Sequence, residues 1–143
     1  MQPRTKRSAN RQRLRQRLRR AAATVEFAVV SPVMVLMVMG TIEACRMIFL
    51  RQTLTIAAYE ATRVALVPKS TTDQVKYAAT LVLADRGVKD ATITITPSSF
   101  GTAPTQSFIE VVVTAPANSN SLVNPQFFSG KSLVGRCSMM KEY

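Results

Sequence analysis

Residues 21–42 read AAATVEFAVVSPVMVLMVMGTI, and Glu26 is the only ionisable side chain among them. As an α-helix this stretch spans about 33 Å, enough for a hydrocarbon core of about 30 Å. The preceding residues, MQPRTKRSANRQRLRQRLRR (1–20), hold nine Lys and Arg and no Asp or Glu. Cations massed directly before an apolar segment keep that end in the cytoplasm. The pattern predicts a single pass through a bacterial inner membrane, with the N-terminus cytoplasmic and the C-terminal part extracytoplasmic.

The chain of 143 residues has 19 Lys and Arg against eight Asp and Glu, a formal charge of +11. Such an excess suggests nucleic acid until its location is considered. Beyond residue 20 the ten remaining cations face all eight acids, leaving +2. The charge is a property of the tail, where it reads as a topology signal, and no nucleic-acid partner is expected. With two leucines and no aromatic residue, the tail buries too little surface to order itself. Arg19-Arg20 lacks the flank of a twin-arginine export signal. A cleavable secretory signal needs a shorter apolar stretch and a small-x-small site, and Met39-Gly40-Thr41-Ile42-Glu43-Ala44 is a poor one.

The helical pattern also runs on. Between Thr41 and Val67 there is neither Gly nor Pro. Met47, Leu50, Leu54, Ala57, Ala61 and Val64 recur at spacings of three and four, forming one apolar face. Arg46, Arg51, Glu60 and Arg63 fall away from that stripe, and Pro68 ends the run. Residues 22–67 therefore read as one transmembrane and amphipathic helix of about 45 residues, or about 67 Å. Glu43 and Arg46 are three apart and suit an ion pair at the membrane exit. Pro32 predicts a kink or a melted turn, with the Ser31 hydroxyl at hand for the freed backbone.

Glu26 is out of place in this run, where an acid costs about 2.5–3.5 kcal/mol near the bilayer centre and less at an interface. One reading places it at headgroup depth, paired with Arg20. The other gives it a partner cation from elsewhere. A cut between Ala21 and Ala22 would create an ammonium, and Glu26 of one subunit could neutralise the new N-terminus of its neighbour. Exclusion of water would strengthen that pair.

Residues 68–143 read as an extracytoplasmic α+β head. Ser70 with Asp73 and Thr71 with Gln74 are overlapping capping boxes. Val75, Ala78, Ala79, Val82 and Leu83 follow at helical spacing, with Gly87 placed to end the helix. Strands are expected at 91–96, where Ile93 and Ile95 share a face, at 107–115 and at 131–141; Gly135 weakens the last. Residues 116–130 read as a long loop. A head of about 75 residues is marginal alone, so its sheet should pack on the amphipathic half of the long helix.

Cys45 and Cys137 allow one disulfide in an oxidising compartment, or two thiols buried as small apolar groups. There is no His, the acids are scattered, and no phosphate loop or metal-ligand spacing occurs. Neither catalysis nor a cofactor is expected.

The basic leader, AAATVEFAVVSPV with Glu26 fifth after the Ala21–Ala22 bond, Phe27 beside it and Pro32 beyond together resemble type IV prepilin-like proteins. Among these the chain is most similar to TadE-like pseudopilins of the tight-adherence (Flp) pilus. IEACRMIFLRQTLTIAAYEATRVA (42–65), with Glu43, Arg46, Gln52, Ala58 and Arg63, resembles the rest of their N-terminal helix, and GRCSMMKEY (135–143) their terminal strand. The resemblance implies cutting by a membrane aspartic prepilin peptidase between Ala21 and Ala22, with Ala21 where the family has Gly. It implies partners among other pilin-like subunits and pilus-assembly proteins, with Glu26 and Phe27 in subunit assembly. The role implied is a non-catalytic one, in an adhesive pilus or a related secretion machine. The alternative is a permanently membrane-anchored envelope protein whose head binds a partner.

Overall fold

Helix α1 runs unbroken from Arg4 to Ala65 in the computed structural model, which describes residues 4–102, 104, 106–121 and 128–142. The tail is thus helical from Arg4, against the expectation of an unordered leader. Extending an existing helix avoids the nucleation cost, and the Arg, Gln and Leu of residues 11–20 are good helix formers that need no burial.

Two units divide the chain, Met1–Thr41 and Ile42–Tyr143. The second half of α1 therefore belongs with the residues that follow it. These are α2 (Thr72–Asp85), β1 (Thr92–Thr96), a 3-10 turn at Phe100–Thr102, β2 (Phe108–Pro116), α3 (Ala117–Asn120) and β3 (Ser132–Met140). The strands form one antiparallel sheet of order β1-β2-β3, so the unit has the expected α+β composition. Val113 lies opposite Ile93 on one side and Gly135 on the other, and Val111 lies opposite Ile95 and Cys137.

Local chemistry explains the boundaries. Of the two capping boxes, the chain uses Thr71 with Gln74: the Thr71 hydroxyl accepts from the Gln74 N–H and the Gln74 side chain accepts from the Thr71 N–H. Gly87, with φ +64°, lets the chain turn out of α2 while the Val88 N–H donates to the Leu83 carbonyl. The stretch expected as a featureless loop after β2 begins instead with α3. Asn118 accepts from the Gly130 N–H, and the Ala117 N–H donates to the Lys131 carbonyl, which joins α3 to the start of β3.

The core lies between α1 and the sheet. Leu50, Leu54, Ala57, Ala58, Ala61 and Ala65 of α1 cluster with Val75, Ala79 and Leu83 of α2 and with Ile109, Val111, Val113 and Ala115 of β2. The stripe expected from periodicity is the buried one; Val64 is partly buried and Ala58, Thr53 and Thr62 join it. Thr62 is buried yet satisfied, because its hydroxyl donates to the Ala58 carbonyl at 2.7 Å. Phe100, in the 3-10 turn, closes the cluster.

Gly135, read from sequence as a weakness in the last strand, is where the two layers meet. A Cβ there would overlap the backbone of Leu54 and Thr55, which has no flexible end to move aside. Gly135→Ala should therefore cost about 1–3 kcal/mol through forced separation of helix and sheet. Gly101→Ala, whose Cβ would meet only the Ser70 carbonyl at 3.9 Å, should stay within about 0.5 kcal/mol. Denaturant unfolding of the full chain in mild detergent compares them, and equal stabilities would refute the close approach.

Candidate functional site

The first unit shows what surrounds the unusual acid. Phe27 is 68% exposed, Leu36 64% and Met37 70%, and Val25, Val29, Val30, Val33, Met34, Val35 and Val38 are exposed as well. A helix apolar on every side and covered on none suits a lipid surrounding. Arg15–Ala65 is the one candidate membrane span among the described residues, long and apolar enough to cross. Two of its hydroxyls make no demand on lipid: Thr24 donates to the Arg20 carbonyl at 2.9 Å and Thr41 to the Met37 carbonyl at 2.8 Å.

Glu26 stands exposed on this surface beside Phe27. Ala21 and Ala22 are exposed too, and the bond between them lies within α1. Ala22 and Glu26 are four apart, so they share a helix face. Helix α1 passes through Pro32 without a melted turn. The proline still removes one intrahelical donor, which leaves the Ala28 carbonyl without its usual partner.

Two sequence expectations concern the second unit. Glu43, expected to pair with Arg46, accepts through its carboxylate from the Phe128 backbone N–H at 2.9 Å. A charge-assisted bond to a backbone donor orders the turn before β3, and Lys131 caps it over the Phe128 ring at 5.3 Å. This link across 85 residues of sequence carries no local signal, so spacing alone could not have found it.

Of the two readings left open for Cys45 and Cys137, the structure has the free thiols, with Cys45 exposed, not buried, and Cys137 half-buried. Thr62 approaches the Cys137 carbonyl at 3.4 Å, so Cys137 is level with Thr62 on α1. Cys45 is 17 residues earlier, about 25 Å along the helix, far beyond disulfide reach. Without reductant the folded chain should react with two equivalents of thiol reagent, Cys45 ahead of Cys137. A chain that reacts only after reduction would restore the bridge.

A long helix, apolar in its N-terminal part, and a small antiparallel sheet packed on its C-terminal part in the second unit define the class, an α+β protein of pilin-like fold. The family model of the TadE-like proteins matches residues 21–63. The chain thus carries a TadE-like segment, from Ala21 through most of the helix that packs on the sheet. No curated protein matches the chain, and no solved structure does.

Proposed function

We propose that this chain is a minor pilin or pseudopilin that takes part in assembling a tight-adherence pilus or a related secretion machine. Residues 21–42 hold it in the inner membrane, the basic residues before them stay in the cytoplasm, and the head lies outside. Prepilin peptidase cuts between Ala21 and Ala22. Glu26 then pairs with the N-terminus of a neighbouring pilin-like subunit, while Phe27 packs beside it. One conjunction carries this reading: the TadE-like match opens at Ala21, and five residues later the only acid of the apolar run stands exposed. An acid left facing lipid is costly, so a helix that retains one at this place has a use for it.

A second reading has its own observation. The Ala21–Ala22 bond lies inside a helix, and Ala is the best helix former, whereas a peptidase binds its substrate extended. An uncut chain would remain a permanently anchored envelope protein whose head binds a partner. N-terminal sequencing of the protein from cells with and without prepilin peptidase separates the two. A mature chain starting at Ala22 only where the peptidase is present is the expected result; an intact Met1 in both cells leaves the anchored protein.

Glu26→Ala tests the role of the acid. The variant should insert as well as the wild type or better, because a desolvation cost is removed. Its incorporation with other pilin-like subunits, measured by co-purification after crosslinking, should fall about tenfold or more, equivalent to a lost pair of at least about 1.4 kcal/mol. Undiminished incorporation would take the assembly role away from Glu26.

A further inference from the structure

A cavity of ≈ 500 Å³ opens in the second unit against the turns of α1 that follow Ile42. Arg46, Phe49 and Thr53 line it from α1, Arg86 and Lys89 from the turn after α2, and Asn120 from the end of α3. Three cations from two distant stretches of chain thus border one space, and among the described residues none of them forms an ion pair. The acids next to Arg86 and Lys89 in sequence, Asp85 and Asp90, are exposed, and Glu43, one turn before Arg46, accepts from the Phe128 N–H.

An isolated surface cation is ordinarily just solvated. Here the frame that holds the cations is itself fixed. Asn120 accepts from the Lys89 N–H at 2.8 Å and donates to the Lys89 and Pro116 carbonyls, each at 2.9 Å. The Lys89 backbone is therefore clamped to α3. Like charges held close repel, and an anion between them relieves the repulsion.

The setting of the cavity narrows the anion. Arg46 is four residues past Ile42, about 6 Å along the helix from the end of the apolar run. Phe49 is 62% exposed, and Ile42 and Cys45 lie on the same face at helical spacing. An apolar track thus leads from the cavity back toward Ile42. The geometry points to this cavity as a binding site for the headgroup of an anionic phospholipid. Its phosphate is held by Arg46, Arg86 and Lys89, and its chains lie along Phe49. The inference rests on the membrane anchor proposed above. A soluble phosphate ester shares the headgroup chemistry but has no use for the track.

Native mass spectrometry of the full chain in detergent tests this, with phosphatidylglycerol, phosphatidylcholine and glycerol phosphate titrated separately. Phosphatidylglycerol should be retained at about a hundredfold lower concentration than phosphatidylcholine, since three cations near an anionic lipid are worth about fivefold each. Combined Arg46→Gln, Arg86→Gln and Lys89→Gln should abolish the preference. Arg51→Gln, Arg63→Gln and Arg136→Gln together remove the same charge elsewhere and should keep it. Lys89→Gln alone, at an exposed side chain, should weaken retention about fivefold and guards against misfolding of the triple variant. Equal retention of the two lipids, equal loss in both triple variants, or binding of glycerol phosphate as tight as that of phosphatidylglycerol would each overturn the site. A chain that fails to enter phosphatidylcholine vesicles would remove the anchor as well, whereas one that enters without lipid preference removes only this inference.

Discussion

The head depends on one close approach, the backbone of α1 at Leu54 and Thr55 against Gly135 of β3. A three-stranded sheet that is apolar on one face must have that face covered. The helix covers it with Ala57, Ala58, Ala61 and Ala65, side chains that end at Cβ. Small residues on the helix and a glycine on the strand bring the two layers together. Leu50 and Leu54 then reach the sheet, where longer side chains at the alanine positions would hold them off. Each Å² of apolar surface so hidden is worth about 25 cal/mol, and separation of the layers would return much of it to water.

The same helix meets two environments, and its sequence changes pattern where they change. From Val25 to Val38 nearly every residue is apolar and exposed, so no face is distinguished. From Met47 onward the apolar residues narrow to a stripe, with Arg51 and Arg63 exposed away from it. Continuity of the backbone hydrogen bonds lets one element serve both purposes, because a helix satisfies its own polar groups in lipid and in water alike. The unit boundary falls between Thr41 and Ile42, at the change of pattern, and not at Pro68 where the helix has already ended.

Much of this was legible from periodicity. The stripe from Met47 to Ala61, the α2 capping box and the three strands are local signals, and the structure places them within a residue or two of where they were read. What escaped was whatever depends on distant parts meeting. Gly135 looked like a flaw because the helix backbone it admits is 80 residues away in sequence. Cys45 and Cys137 looked bridgeable because sequence assigns each a neighbourhood but not the register of β3 along α1. Burial gives the tail no reason to order, whereas a helix already nucleated by its neighbour extends on propensity alone. For the N-terminal segment, by contrast, the informative residues are all local: Ala21, Ala22, Glu26, Phe27 and Pro32 lie within three turns or so of one another.

That locality bears on how the proposed pairing would operate. Ala22 and Glu26 are one turn apart on the same face, with Cβ atoms about 5–6 Å from each other. In a chain cut before Ala22, the new ammonium could first be neutralised by Glu26 of its own subunit. A single processed subunit would then wait in the membrane with its charges matched, at less cost than an isolated acid. Joining a neighbour exchanges that partly solvated pair for one from which water is excluded, and the pair is stronger there. The gain must come from packing of the apolar surface around Phe27 and from the lower dielectric of the packed helices, which sharpens the penalty for a wrong offset. On this view Glu26 acts on axial register as well as on affinity, as a buried polar group does when it selects one alignment of helices over its competitors.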